Sequence, residues 1–438
     1  MSKHVSVIVA ALVGSALVGC GTKPKPMFDA GVEEDAGMEV DAGRVRGDDP
    51  PTGFQVAFAL PMGAAASTHF VSVSSAPDQF NQPLIAAQYE DPNGDLNYDD
   101  NRVFFTRWDG TAKAFTAPLT IEVVGGAASQ HPYRQVAVAR DAVSGRIGVA
   151  YVKGQANTIR LATSDDEAAN FSLTTVSDEQ TVDAINNVAL ALQGGVAHVA
   201  YLEGSKAVYR TRTGNTGAWS EQRSPIDALP TSGLGLALDA SNQPAVVFIA
   251  AAGATSGDLV FWRPGSTPVT VASADMNDLS AADKRPSAAV QFNGGSAYVA
   301  FHLSKLTAPD ATQLWFAKSD DNGVTWGTPI AIPRNSDGTA FHSTQWYQAL
   351  AVESATRIAI GAPWSSSGTQ SVCNGPKLAR STDGATFTTC SPAGTPIQRG
   401  GDWISLWPYK PGKLSLVFSY DQRSNPSIKA GLLMWREP

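Results

Sequence analysis

Cysteine is scarce in this chain, with three among 438 residues. No second cysteine pair and no nearby histidine completes a tetrahedral set, so a structural zinc site is not expected. Charge is sparse as well, at 16% of residues, and its balance is −8. No basic stripe runs through it, and a nucleic-acid partner is therefore not expected. Long helical patterns are absent after the first twenty residues. The apolar run from Val5 to Val18 is too short to span a bilayer.

What is present is turn chemistry and alternation. Glycine (40) and proline (27) punctuate short Val-, Ala- and Tyr-containing runs with a two-residue period, the pattern of strands rather than helices. From about residue 67 these runs recur in units of roughly 50–60 residues, the spacing of propeller blades. The second strand of each unit is the clearest mark, at 83–89, 147–152, 196–202, 244–250, 296–302, 357–362 and 414–420. More apolar inner strands precede them, as at 135–139, 188–192, 234–238 and 286–290, and third strands follow, as at 102–107, 158–163, 207–212, 258–263 and 313–318. Short outer strands are expected to end near Phe115, Phe171, Trp219, Val269, Trp326 and Phe387. The count predicts an all-β propeller of seven four-stranded blades, with six as the alternative if one weak unit is an insertion. The last unit is one strand short, and the run Phe54 to Leu60 lies before the first unit without a partner. That run is expected to close the ring as the outermost strand of the last blade, leaving no unpaired sheet end.

One stretch carries a resemblance. Ser319-Asp320-Asp321-Asn322-Gly323-Val324-Thr325-Trp326 resembles the Asp-box of bacterial sialidases and related propellers, matching Ser319, Asp321, Gly323, Thr325 and Trp326 to its fixed positions. Worn versions stand at 381–387 and 213–219. In that superfamily the box forms the turn between a blade's third and fourth strands, on the face away from the active site. The resemblance therefore implies fold and says little about catalysis.

The N-terminus reads as an export signal. Lys3 and the apolar run lead to Leu17-Val18-Gly19-Cys20, which resembles the bacterial lipobox, with Cys20 as the acylated first residue of the mature chain. Residues 1–19 are then the signal peptide. Gly21 after the cysteine points, by the same resemblance, to an outer-membrane lipoprotein held by its lipid. Residues 20–50 are acidic, carry Asp-Ala-Gly at 29, 35 and 41, and lack the apolar content of a core, so a disordered tether is expected. Residues 51–438 make the propeller.

Fold analogy with propellers places a set of residues on one rim: His131, Arg134, Arg285, His342, Trp346, Tyr347, Arg399, Asp402 and Trp403. A sialidase needs an arginine triad, a tyrosine nucleophile with a glutamate partner and an acid/base aspartate. Arg134, Arg285 and Arg399 are the rim arginines, Tyr347 lacks an obvious carboxylate partner although Glu353 is near in sequence, and the Arg-Ile-Pro motif of the sialidase domain is missing. Two readings follow: a binding module for a glycan or a surface protein, and a glycan-directed hydrolase or lyase whose catalytic pair the sequence does not establish. Asp91, Asn93, Asp95, Asn97 and Asp99 alternate in one segment. Oxygen ligands at that spacing suit calcium, and a solvated loop is the competing reading.

With Cys20 carrying lipid, Cys373 and Cys390 remain as a pair flanking the hairpin at Asp383 and Gly384, and an exported protein permits their disulfide. Intact-mass comparison before and after alkylation without reductant should show both thiols unmodified. Two alkylated thiols would rule the bond out.

Overall fold

The computed structural model describes residues 40–41, 44–45, 47–59, 70–89, 101–124, 136–153, 158–177, 185–230, 232–252, 257–273, 287–304, 312–333, 348–362, 377–390, 404–420 and 431–438. Among them there is no helix. Seven antiparallel sheets of four principal strands form a seven-bladed propeller, which decides between the two expected counts. Blades 2 to 6 are continuous in sequence, with inner strands Val136–Arg140, Ile185–Gln193, Gly235–Leu238, Ser287–Asn293 and Ala349–Val352. Blade 1 runs from Phe70–Pro77 to Leu119–Val123 and carries an extra two-residue strand, Ala114–Phe115, on its third strand. Blade 7 takes three strands from the C-terminal end of the chain and the fourth from Gly53–Ala59.

That closure is the expected one. Gly53–Ala59 pairs antiparallel with Gly431–Arg436, from Gly53 opposite Arg436 to Ala59 opposite Gly431, with a bulge between Val56 and Phe58. Phe54 meets the rings of Phe418 at 6.3 Å and Trp435 at 6.4 Å. The first and last parts of the propeller thus share one sheet.

The near-continuous burial of each second strand shows where the core lies. Residues such as Tyr151, Tyr201, Phe248, Phe301 and Phe418, one per blade, are fully or almost fully buried. Sheets in a propeller are covered on both faces by neighbouring blades, so the second strands read as nearly continuous apolar runs. The buried apolar residues fall into seven clusters, and each cluster straddles two adjacent blades. Each blade therefore lends its two faces to two different clusters. The cluster between blades 7 and 1 joins Ala57 to Phe104, Trp407 and Met434.

The expected ends of the outer strands are corrected. Phe171, Trp219 and Phe387 do not end outer strands: they immediately precede them, at Ser172–Thr175, Ser220–Arg223 and Thr388–Cys390. Trp326 likewise comes before Ile330–Ala331, Val269 begins Val269–Ala272, and Phe115 precedes Leu119–Val123. At Phe171, Trp219, Trp326 and Phe387 the physical reason is the turn's own aromatic, which leaves the sheet to contact the preceding blade before the chain rejoins its own. Residues 47–50, at the end of the segment expected to be a tether, are seated against blade 1, where Asp48 N–H donates to the Gly110 carbonyl at 3.0 Å.

Candidate functional site

Alternation of strand direction gives the propeller two unlike faces. The connections between first and second strands and between third and fourth strands share one, here called the turn face. The ends joined by second-to-third-strand connections and by blade-to-blade crossovers share the opposite face.

The Ser319–Trp326 turn lies on the turn face, between Thr312–Ser319 and Ile330–Ala331 of blade 5. Ser319 Oγ donates to Asp321 Oδ1 (2.7 Å) and accepts the Gly323 N–H (2.8 Å). Asp321 accepts the Thr325 N–H at 2.8 Å and the Thr325 hydroxyl at 2.6 Å. These bonds, the Thr325 hydroxyl first, bring the Asp321 pKa down to about 2. Gly323 has φ +93°, and a Cβ there would run into the Phe261 ring, 3.0 Å from its Cδ1. Glycine is thus required twice, by backbone conformation and by room. Trp326 packs on the same Phe261 ring, with centroids 5.4 Å apart, and Asn322 donates to Asp239 Oδ2 at 2.9 Å. Phe261 and Asp239 both belong to blade 4. The turn is a fastener from one blade to the preceding one.

Three other turns repeat this chemistry. At blade 6, Asp383 accepts the Thr386 and Ala385 N–H groups, and Phe387 meets Phe316 of blade 5 at 5.2 Å. At blade 3, Trp219 donates to the Thr175 carbonyl of blade 2 at 3.0 Å. The fourth was missed in the sequence. Ser164 Oγ donates to Asp166 (2.6 Å) and accepts the Ala168 N–H (2.8 Å), and Asp166 accepts both N–H donors of Asn170. Phe171 then meets Phe105 of blade 1 at 5.5 Å, and Glu167 pairs with Arg107 at 3.0 Å. Its signal was Ser-x-Asp followed by Asn-Phe, hidden because Ala168, at φ 63°, stands where glycine was sought.

A second set of fasteners links the turns between first and second strands. Asp141 of blade 2 accepts the Gly194 (3.0 Å) and Gly195 (2.6 Å) N–H groups of blade 3, besides its own Val143 N–H and Ser144 hydroxyl. Glu353 of blade 6 accepts the Gly412 N–H of blade 7 at 2.9 Å and pairs with Arg357 at 3.1 Å. Glu353 thus sits at the turn-face end of Ala349–Val352 and is committed there. Glu353, Arg357 and Arg380 also line a cleft of about 120 Å³ between blades 6 and 7. Arg380 in that cleft is paired with Glu437 at 2.9 Å.

Nearer the opposite face, the outer strand of blade 1 supplies Glu122, which accepts Tyr151 Oη at 2.5 Å and Lys153 Nζ at 2.6 Å, with Arg160 at 3.5 Å. Burial raises the Glu122 pKa, but Lys153, Tyr151 and Arg160 outweigh it and leave it below the usual value. Burial, then Glu122, pushes the Tyr151 phenol well up. This tyrosine–glutamate contact is wholly buried on the tyrosine side and holds blade 1 to blade 2, so it is no nucleophile pair. Burial also lowers His198 to about 4, and its Nδ1 lies 2.6 Å from the Tyr209 hydroxyl.

His131, Arg134, Arg285, His342, Trp346, Tyr347, Arg399, Asp402, Trp403, the run Asp91, Asn93, Asp95, Asn97 and Asp99, and Cys20 and Cys373 all lie outside the described residues. Cys390 ends the outer strand of blade 6, opposite Leu378. Among the described residues, no cluster of three His, Cys, Asp or Glu side chains is placed to hold a metal ion.

No family model matches the chain, and no curated protein matches it. Among solved structures it is similar to the α-L-arabinofuranosidase Arb93A of Fusarium graminearum in complex with an iminosugar inhibitor. The TM-score is 0.51 at 11% identity, covering 88% of this chain and 98% of that one. A mutant of the same enzyme gives 0.51 and 11%, over 88% and 97%. The Hadza microbial sialidase Hz136 gives 0.48 at 11%, over 88% of this chain and 68% of that chain. At such identities the likeness to the arabinofuranosidase is one of fold.

The Asp141 fastener predicts a pH signature. Burial raises this carboxyl, but the Gly195, Val143, Ser144 and Gly194 donors outweigh it and bring it to about 2 from an ordinary 3.8. A lowered folded-state pKa gives stability that is present above the ordinary value and lost as pH falls through about 2. Asp141→Asn should therefore cost about 2 kcal/mol at neutral pH and far less near pH 2, measured by urea unfolding at both.

Proposed function

We propose that the chain is a surface-anchored binding module. Lipid on Cys20 holds it at the outer membrane, residues 20–50 lead away from the anchor, and the propeller presents its opposite face to a glycan or to a surface protein. What carries the reading is the contrast between the two faces. On the turn face, the carboxylates of Asp141, Asp321, Asp383 and Glu353 are all engaged by backbone N–H groups of their own or the next turn. Groups committed in this way are fasteners, and recognition falls to the other end. There the strands are joined by segments such as 90–100, 125–135, 334–347, 363–376 and 391–403, which contain the arginine, aromatic and acidic residues singled out above.

The composition of those segments suits a sugar. Tryptophan offers a flat apolar face with a polar edge, as at Trp346 and Trp403. Arginine offers planar donors to a carboxylate, as at Arg134, Arg285 and Arg399. Asp91, Asn93, Asp95, Asn97 and Asp99 are the residues that would hold calcium. Ser319, Asp321, Gly323, Thr325 and Trp326 are read as an Asp-box with a structural role.

The purified chain should be screened on a glycan array beside fluorogenic glycosides, arabinofuranosides and sialosides included, with calcium and with a chelator. The expected result is saturable binding of a glycan without turnover. Trp346→Ala or Trp403→Ala should weaken it about tenfold, a loss of about 1.4 kcal/mol. Turnover abolished by Tyr347→Phe or Asp402→Asn would replace the binding module with a glycan-directed enzyme. Binding to no glycan would leave a protein as the partner.

A further inference from the structure

The closing strand has a direction. Gly53 pairs with Arg436 and Ala59 with Gly431, so the strand starts at the turn face and runs toward the opposite one. The residues just before it are fastened to the turn face of blade 1. Asp48 N–H donates to the Gly110 carbonyl (3.0 Å), and the Trp108 indole N–H donates to the Asp48 carbonyl (2.8 Å). Lys113 pairs with the Asp48 carboxylate. Arg436, 1% exposed, donates to the Pro50 carbonyl at 3.3 Å and to the Asn81 carbonyl at 2.7 Å. The two backbones touch directly: a Cβ on Gly110 would stand 2.6 Å from the Gly47 carbonyl carbon and 2.7 Å from the Asp48 carbonyl oxygen. Trp108, Gly110 and Lys113 belong to the end of the third strand of blade 1 and the turn that follows it, and Asn81 to the turn after the first strand, so every partner lies at one end of the sheets.

We infer that the closing strand and this seat together set the direction in which the propeller is presented. The segment leading back to Cys20 departs from the turn face, so the turn face looks toward the lipid surface and the opposite face looks away from it. The inference rests on the reading of Cys20 as the lipid anchor. A chain leaving from the other face would reverse which face is nearer the membrane. The arrangement puts the long connecting segments where a soluble glycan or a neighbouring cell's surface can reach them.

Two surface positions report the direction. Val324 is exposed on the turn face, and Ser205 is exposed in the turn between the second and third strands of blade 3, on the opposite face. The full chain carrying Val324→Cys or Ser205→Cys is labelled with a donor dye and held in vesicles whose lipids carry an acceptor on the headgroup. The chain without an introduced cysteine sets the background, and flotation measures attachment separately. Transfer should be clearly more efficient from position 324 than from position 205. Equal transfer, or the reverse order, on a chain that floats would overturn the inference and leave the anchor standing. A chain that fails to float with vesicles would overturn the anchor and the inference with it.

Discussion

Backbone pairing between Gly53–Ala59 and Gly431–Arg436 is the constraint on which the rest of the ring depends. Every apolar cluster is shared by two blades, and six of the seven join blades that are neighbours in sequence. The seventh joins the two ends of the propeller and has no local chain connection to hold it. Bringing those ends together carries a loop-closure cost that grows only slowly with length. The return is a buried interface and the removal of the open edge on Gly431–Arg436. Arg436 adds polar anchorage at the same place, through Pro50 and Asn81.

Polar side chains set the angle at which blades meet. Near the axis, inner strands bind one another through short side chains: Ser72 and Ser74 of blade 1 accept the Val136 and Val138 N–H groups of blade 2, and Ser405 of blade 7 donates to the Ser75 carbonyl. Gln348 of blade 6 donates to two carbonyls of blade 5, those of Ser287 and Ala300, at 2.9 and 2.7 Å. Farther out, the turns at Ser164, Thr213, Ser319 and Ser381 reach back to the preceding blade with an aromatic ring or its indole N–H. A buried polar group left without a partner is costly, so these contacts make alternative blade positions unfavourable. The carboxylate fasteners are gathered on the turn face.

The fold was legible because its signals are local and periodic. Strand alternation fixed the seven second strands to within a residue or two, and the orphan run at Phe54 pointed to its partner because the last unit lacked one. The boundaries of outer strands were not legible, since Phe171 and Trp326 look like strand residues and are in fact wedges into the next blade. Nor were the carboxylate fasteners: Asp141 and Glu353 look like ordinary turn residues, and the Gly194, Gly195 and Gly412 N–H groups they hold are more than fifty residues away. The Ser164 turn escaped because a motif written around glycine does not find Ala168 in the left-handed region.

The closing strand is expected among the most stable parts of the molecule. Native-state hydrogen exchange of the full chain measures this directly. If ring closure holds the blades together, the paired amides of 53–59 and 431–436 exchange only as slowly as those of second strands such as 147–153 and 244–251, through one shared opening. Exchange of 53–59 and 431–436 on a fast, separate timescale, with the other blades still protected, would contradict the central claim.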